Sequence, residues 1–273
     1  MEVKLIAYTQ LCPDLEEENI IIGPDNICDL AARTCVSEDM PDLFINDGEG
    51  RIIRADAECM SLKRATASNH LSVVEHCNLT YSVSGVSRAL LAQLSRHRLI
   101  SMSVQSQRYV CMDNFDYFVP DSIRANEDAD NDFYHLMNIL KDCYENFASE
   151  EGYAIPIEDA RAILPNACKT NLVLTVNARE LLHMASLRMC VRAQEEIREM
   201  VTRMVAQAKQ VAPIIFRNAG AFCEQYHYCP EQKGCGKYPK INELFVRVKL
   251  DDSVPDCKTC KKGFVKWEAP EGD

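Results

Sequence analysis

Two periodicities of apolar residues divide the 273-residue chain into candidate strands and helices. Apolar residues that alternate with polar ones predict strands, and apolar residues that recur at every third or fourth position predict helices. The predicted strands are residues 2–8, 79–83 and 172–176, with an extended segment at 109–119. The predicted helices are residues 24–35, 56–67, 86–94, 128–149, a short segment after Pro156, and 178–211 with a break near Cys190. Residues 37–50 are rich in turn-forming residues and predict a loop.

This order of elements predicts an α/β (α+β) fold, in which helices cover a mixed central sheet. Residues 1–222 are expected to form the main, catalytic domain. Residues 223–273 are rich in turns and cysteines, and they are expected to form a small C-terminal appendage.

Composition and charge exclude several classes of protein. The chain is 47% hydrophobic and 26% charged, which is ordinary for a globular protein. Its net charge is -11, whereas a general nucleic-acid binder carries a basic excess, so no nucleic-acid partner is expected. The sequence shows neither a signal peptide nor a membrane-spanning apolar run, so we expect a cytoplasmic protein without a membrane partner. Most of the fourteen cysteines lie singly within periodic segments, which is typical of buried thiols rather than disulfides.

The densest cluster of candidate functional residues follows the predicted helix at 86–94. Arg96, His97 and Arg98, here called the basic triplet, are consecutive at the end of that helix. Basic residues at a helix C-terminus commonly satisfy the last carbonyls and the helix dipole. Three in a row exceed what capping needs, which favours a binding role.

The segment after the basic triplet is polar but poor in turn-forming residues. It contains Ser101, Ser103, Ser106 and Arg108, where a solvated loop normally carries Gly, Pro, Asn or Asp. Guanidinium groups bind oxyanions through paired hydrogen bonds. We therefore predict a polar loop that forms, together with the basic triplet, a site for an anionic nucleotide.

A second polar junction, residues 69–76, lies between a predicted helix and a predicted strand. Ser72 and Glu75 have the spacing of a capping box, which would explain them structurally. Metal binding by His70 and His76 is an alternative, although no third ligand follows at helical spacing.

A third patch spans residues 175–188. If the chain is helical from residue 178, Arg179 and His183 lie on one stripe, along which an elongated ligand would fit. The alternative is a solvated helix face with Glu180, Arg179 and Arg192 outermost. Asn177 and His183 are poor choices for such a face, which favours a binding role.

These segments together resemble the flavin-dependent thymidylate synthases (the ThyX family). In residues 96–109, Arg-His-Arg is followed after seven residues by Ser-x-Arg-Tyr, which is similar to the defining motif of that family. Residues 69–76 and 175–188 are similar to two further family segments, and the resemblance covers roughly residues 24–215. It implies a ThyX-like fold and a homotetramer whose active sites are shared between subunits.

The resemblance implies reductive methylation of dUMP to dTMP. Methylenetetrahydrofolate would donate the methylene group, reduced FAD would donate the hydride, and NADPH would regenerate the reduced flavin. A standard Rossmann loop is not expected to bind FAD or NADPH, because the chain has no G-x-G-x-x-G segment and only ten glycines. Two other functions fit part of the sequence: a different flavin- or nucleotide-binding oxidoreductase, and a zinc-stabilised binding module based on the tail.

The resemblance also implies roles for individual residues. The residues implied to bind dUMP are Gln93, Arg96, Ser106, Gln107, Arg108, Arg161 and Arg188. The residues implied to bind FAD are Ser72, Arg96, His97, Arg98, Asn177, Arg179 and His183. Catalytic roles are implied for Arg188, which would stabilise ionisation of the pyrimidine at N3, for Ser106, and for His70 near the flavin ring. Two positions depart from the family pattern, with Cys35 where a serine is common and Val104 where a glutamate is common.

The tail contains a candidate zinc site. Cys257 and Cys260 form a C-x-x-C pair, and Cys229 and Cys235 precede it with looser spacing. Four thiolates would bind zinc tetrahedrally and stabilise a segment too small to form its own core. A redox role for the pair is less consistent with the sequence, because no βαβ context surrounds it.

Overall fold

The computed structural model describes residues 1–12, 23–38 and 59–240 of the chain. The chain divides into a large unit, Met1–Ala221, and a small unit, Phe222–Asp273. In the described ranges, none of the helices combines the length and the apolar character that a bilayer span requires.

A four-stranded antiparallel sheet forms the centre of the large unit. Its strands, in spatial order, are β1 (Glu2–Tyr8), β2 (Asn78–Ser87), β4 (Lys169–Asn177) and β3 (Ile100–Val104). The two central strands alternate apolar and polar residues, as a sheet with one buried face requires. The buried positions are Leu79, Tyr81, Val83, Leu172, Leu174 and Val176, each at most 4% exposed.

Helices pack against the buried face of this sheet and extend beyond it. They are α1 (Pro24–Thr34), α2 (Met60–Ala67), α3 (Arg88–Leu94), α4 (Asp121–Arg124), α5 (Glu127–Ala148), α6 (Ile157–Ala160), α7 (Ala178–Arg188) and α8 (Glu195–Val211). Two short 3₁₀ helices lie at Leu71–His76 and Arg161–Ile163. Leu181 of α7 and Met200 of α8 are fully buried in the core shared with the sheet, and each such side chain stabilises the fold by about 1.5–3 kcal/mol.

Side-chain caps fix the starts of the two helices that carry candidate residues. Asn177 Oδ1 accepts a hydrogen bond from the backbone N–H of Glu180 at 2.9 Å, which begins α7 directly after β4. Ser87 Oγ accepts from the N–H of Leu90 at 3.0 Å, which begins α3 directly after β2. The buried carboxylate of Glu196 on α8 in turn accepts both the N–H (2.7 Å) and the hydroxyl hydrogen of Ser87.

Most of the predicted elements are confirmed. The α/β fold is confirmed, and the predicted helix at 178–211 breaks at 189–194, between α7 and α8. The neighbouring strands of this sheet are all antiparallel, whereas a mixed sheet was expected. The predicted loop at 39–50 and the predicted helix start at 56–58 lie outside the described residues.

The polar loop predicted after the basic triplet is wrong over most of its length. Residues 100–104 form β3, which pairs with β4 at the edge of the sheet. The half-buried side chains of Ile100, Met102 and Val104 alternate there with the exposed side chains of Ser101 and Ser103. This alternation has the period of a strand, so the hydroxyl groups belong to the outer face of the sheet rather than to a loop.

The extended segment predicted at 109–119 is also wrong. In the described structure its only ladder contact is a single bridge between Tyr117 and Cys168. Phe115 instead packs with Met137 of α5 and Cys168 in a second, small hydrophobic cluster. The aromatic residues that suggested a strand therefore anchor α5.

The described part of the small unit is residues 222–240, which begin with α9 (Phe222–Tyr226). The N–H of Cys229 donates to the carbonyl of Pro239 at 2.7 Å, so the chain folds back on itself. Cys229 is buried and Cys235 is exposed. The other two members of the expected zinc site, at 257 and 260, lie outside the described residues.

Candidate active site

A buried chain of hydrogen bonds joins α7 to the basic triplet. The His97 ring lies between Glu180 and Arg188: its Nδ1 is 3.1 Å from Glu180 Oε1, and Arg188 Nε donates to its Nε2 at 3.0 Å. His97 is 4% exposed and Glu180 is 7% exposed. Helical side chains tilt toward the N-terminus, so Arg188 at the end of α7 reaches back toward the turn that carries Glu180.

These contacts determine the protonation of the imidazole. Arg188 Nε always carries a hydrogen, so Nε2 of His97 must accept, and the ring hydrogen lies on Nδ1 and is donated to Glu180. Burial lowers the pKa of His97, and nearby Arg188 and His183 lower it further, whereas the bond to Glu180 raises it. The ring is therefore neutral at physiological pH.

The same group has the residue types of a metal site, but its contacts do not suit one. Ligand atoms of His97, Glu180 and His183 lie within 4.8 Å of one another. Both ring nitrogens of His97 are already engaged in hydrogen bonds, and the guanidinium of Arg188 bonds one of them. A cation would have to displace these bonds beside a positive charge, so the arrangement favours a hydrogen-bonded chain.

The junction at 69–76 forms the 3₁₀ helix Leu71–His76 rather than a capped α-helix. The capping-box interpretation of Ser72 and Glu75 is wrong, because no side chain caps this helix and Glu75 forms an ion pair with Arg179. Metal binding by His70 and His76 gains no support, since neither belongs to a cluster of ligand atoms in the described part of the chain.

A cavity of about 540 Å³ lies beside this 3₁₀ helix. His70, Ser72 and Arg179 line it, although they come from two separate segments of the sequence. Cys35, one of the two departures from the family pattern, lines it as well. The remaining lining is largely apolar and includes Ala32, Val36, Ala65, Leu71 and Val73.

The loop at 105–109 lies against α6 and the 3₁₀ helix that follows it. Arg108 donates from Nε and a terminal nitrogen to one carboxylate oxygen of Glu158, at 3.2 and 3.1 Å. Arg161 donates to the backbone carbonyl of Glu158 at 2.9 Å, and Ser106 Oγ accepts the N–H of Arg108. Gln107, Glu158 and Arg161 line an open cavity of about 570 Å³. Arg108 thus pairs with an exposed carboxylate, and Arg161 bonds the backbone of the same residue.

The two halves of the 96–109 motif stand at opposite ends of one strand. β3 begins at Ile100, opposite Val176, and ends at Val104, opposite Leu172. The basic triplet precedes β3 and contacts α7, whereas Gln105 follows β3 and donates its N–H to the carbonyl of residue 171 at 2.8 Å. Four intervals of about 3.3 Å separate the ends by roughly 13 Å. Within one chain, β3 therefore separates the two halves of the motif.

The other predicted site residues are placed as follows. Gln93 donates to Gln194 at the start of α8, at 2.9 Å. Arg96 and Arg98 are exposed on either side of buried His97. Asn177 serves as the cap of α7, which gives this polar residue a structural role.

Two charged residues were missed or misjudged. Glu180, which the alternative of a solvated helix face would place outermost, is buried against His97. Arg88 belongs to none of the sequence motifs, yet it donates to the carbonyl of Gln105 at 2.7 Å, and its Nε is buried without a hydrogen-bond partner among the described residues. Burial lowers the pKa of Arg88, and neighbouring Arg161 lowers it further. Both residues lie on helices whose long-range neighbours the local sequence does not reveal.

Comparisons with known proteins agree on one family. A family model described as thymidylate synthase complementing protein matches residues 19–214. A flavin-dependent thymidylate synthase of Geobacter sulfurreducens is 39% identical over 243 residues, which cover 88% of this chain and 97% of the relative. The enzyme of the same name from Clostridium tetani is 32% identical over 260 residues, or 90% and 97% of the two chains. A crystal structure of the Helicobacter pylori flavin-dependent thymidylate synthase ThyX, complexed with FAD and dUMP, matches with a TM-score of 0.56 at 25% identity, over 81% of this chain and 100% of that one.

Proposed function

The chain belongs to the flavin-dependent thymidylate synthase family, and we propose that it catalyses the reductive methylation of dUMP to dTMP. One observation carries this proposal: residues from three distant segments, each resembling the family, meet along α7. His70, Ser72 and Arg179 line the same cavity, and His97 bonds Arg188 at the other end of that helix.

The residues around the 540 Å³ cavity fit a flavin nucleotide. The hydroxyl of Ser72 and the guanidinium of Arg179 suit a pyrophosphate, and the apolar lining suits a ring system. His183, one turn after Arg179 on the exposed face of α7, extends this surface toward His97. Bound FAD would supply the hydride, methylenetetrahydrofolate the methylene group, and NADPH would restore the reduced flavin.

The substrate dUMP would be bound by the loop at 105–109 together with Arg161. The ion pair of Arg108 and Glu158 is half exposed, so a phosphate can replace the carboxylate at small cost. Ser106 and Gln107 add a hydroxyl and an amide beside these cations. The start of this loop is held in place, because Arg88 donates a hydrogen bond to the carbonyl of Gln105.

Arg188 would act on the pyrimidine. Among the residues that the structure describes, none bonds its two terminal nitrogens, and its Nε is held by His97. A guanidinium fixed in this way stabilises negative charge as it develops at N3, which lowers the barrier to methylene transfer.

The proposed homotetramer with shared active sites comes from the family resemblance, and the geometry of β3 supports the sharing of sites between copies. Gln93, Arg96 and Arg188 belong to one end of that strand, whereas Ser106 and Arg108 belong to the other. The two ends lie roughly 13 Å apart, so another copy of the chain can supply one of the two sets to a shared dUMP site. Exposed apolar side chains such as Leu136 and Ile139 on α5, at 50% and 56%, would be covered by such a copy.

We also propose a structural zinc ion for the tail, held by Cys229, Cys235, Cys257 and Cys260. Its support is the residue types alone, because thiolates in this number bind zinc tetrahedrally. The cytoplasmic location and the lack of nucleic-acid and membrane partners remain predictions from the sequence.

A coupled assay tests the proposed function. Purified full-length protein should be yellow, and both NADPH oxidation and dTMP formation should require dUMP and methylenetetrahydrofolate. NADPH oxidation without any need for dUMP would identify a different flavin oxidoreductase. A colourless protein that binds zinc and forms no dTMP would identify a binding module instead.

A further inference from the structure

Glu180 is a buried carboxylate on α7 whose burial has no explanation in the proposed binding of substrate or cofactor. Its side chain is 8% exposed, and its charge faces one nitrogen of the His97 ring. A buried charge is tolerated when a partner donates a hydrogen bond to it, and His97 Nδ1 provides that bond. The carboxylate therefore belongs with the imidazole.

A carboxylate accepts hydrogen bonds and donates none, so it permits only one arrangement of this ring. With the hydrogen on Nδ1, His97 donates to Glu180 and leaves Nε2 as an acceptor for Arg188. In the other neutral tautomer, Nδ1 would face the carboxylate without a hydrogen, and Nε2–H would face the N–H of Arg188. Both contacts would become repulsive.

The bond to Nε2 has a consequence for the far end of Arg188. A guanidinium group is planar and rigid, so the direction of its Nε–H determines where its two terminal nitrogens point. No other described residue bonds those nitrogens. The His97 ring is thus the contact that sets their direction.

We propose that Glu180 is a positioning residue, which holds His97 as the Nδ1–H tautomer so that His97 orients the guanidinium of Arg188 toward the pyrimidine. This inference rests on the proposed function, in which Arg188 stabilises ionisation at N3. The charged and titratable groups that face His97 are Glu180, His183 and Arg188, all on α7.

A double-mutant cycle tests the inference. Glu180→Ala and Glu180→Gln are made in the wild-type protein and in Arg188→Ala, and each variant is purified with its FAD. If Glu180 acts through Arg188, Glu180→Ala should lower kcat for dTMP formation about tenfold in the wild type and less than about twofold in Arg188→Ala. Glu180→Gln preserves the side-chain volume and an oxygen that can accept from His97 Nδ1, so it should fold and should lose less kcat in the wild type than Glu180→Ala.

A spectroscopic measurement tests the role of Glu180 without requiring enzyme turnover. Absorbance of bound 5-fluoro-dUMP reports ionisation at N3, and Glu180→Ala should raise the pKa of this group by about 1 while the dissociation constant changes less than about threefold. Asp25→Asn is the matched control: Asp25 is also a buried carboxylate on a helix, but it accepts from the N–H groups of Ile214 and Ile215. This variant should leave the N3 pKa unchanged.

Equal losses of kcat in the two backgrounds, or an unchanged N3 pKa in Glu180→Ala, would overturn the inference while leaving the proposed function intact. Wild-type protein that neither binds 5-fluoro-dUMP nor forms dTMP would overturn both.

Discussion

Arg188 Nε donates to His97 Nε2 at 3.0 Å, and Glu180 faces the opposite nitrogen of the same ring. The imidazole is therefore held uncharged between a cation and an anion. His97 and Arg188 come from two segments that resemble the flavin-dependent thymidylate synthases separately. Their direct contact shows that these segments form one structural unit around α7.

Replacing Arg188 by alanine should strongly reduce dTMP formation, whereas the protein should retain FAD. The guanidinium is proposed to stabilise charge on the pyrimidine, and loss of one such group typically lowers kcat by about 10²–10³. The measurements are initial rates of dTMP formation and flavin absorbance after gel filtration. Arg203→Ala is the control, because Arg203 is an exposed arginine paired with Glu199 on α8. Normal turnover by Arg188→Ala would show that the assignment is wrong.

Glu158→Gln should tighten dUMP binding. The carboxylate occupies the guanidinium of Arg108 in the described structure, so an incoming phosphate must compete with it. An exposed ion pair of this kind contributes up to about 1 kcal/mol, so the dissociation constant should fall severalfold, to about a third. Calorimetric titration with dUMP measures the change, and Glu199→Gln provides an exposed control. Weaker binding would mean that Glu158 itself contacts the nucleotide.

Ser87→Ala should destabilise the fold more than Ser95→Ala. It removes the cap of α3 and leaves the carboxylate of Glu196, which is 1% exposed, without its donor hydroxyl. The two losses together should lower the free energy of unfolding by about 2–3 kcal/mol. Ser95→Ala, at the exposed end of the same helix, should lower it by less than about 0.5 kcal/mol. Urea denaturation measures the free energy of unfolding of both variants. Equal losses would contradict the stabilising role of the buried Ser87 cap.

Lowering the pH should reduce the stability of the fold, because the neutral His97 ring must then take up a proton. Burial lowers its pKa below the ordinary value of 6.5, so the unfolded chain binds a proton at a pH where the folded chain does not. The stability that the neutral ring contributes is present above about pH 6.5 and is lost as the pH falls from there toward the folded pKa. Urea midpoints between about pH 7.5 and pH 5.5 should fall more for wild-type protein than for His97→Gln. An identical pH dependence of the two proteins would contradict a neutral His97.

The hydrophobic pattern of the sequence correctly predicted those strands and helices in which the apolar residues recur with a single period. The strand at 169–177 and the helices at 24–34, 127–148 and 178–188 each carry such a pattern. β3 was missed because its hydroxyl residues suggested a ligand, although they alternate with Ile100, Met102 and Val104 as an edge strand requires. The period of a segment is therefore a better guide to its structure here than its composition.

The candidate site could be predicted in its residue types but not in its arrangement. The motif at 96–109 identified His97, yet its partner Glu180 is 83 residues away, and nothing in the local sequence indicates their contact. The motif also gave no sign that β3 separates its two halves, because a strand or a loop can connect the same residues. Only the pairing of β3 with β4 places Arg96 and Arg108 at opposite ends.

Complementation between inactive variants tests the shared active site most directly. Arg188→Ala and Arg108→Ala, which affect opposite ends of β3, are co-expressed with different tags, and oligomers that contain both are isolated. If each site draws its two halves from different copies, about a quarter of the sites in these oligomers should be intact and form dTMP. The matched pair Arg188→Ala with Arg96→Ala, which affects one end only, should stay inactive. Mixed oligomers of the first pair that are as inactive as either variant alone would contradict the account.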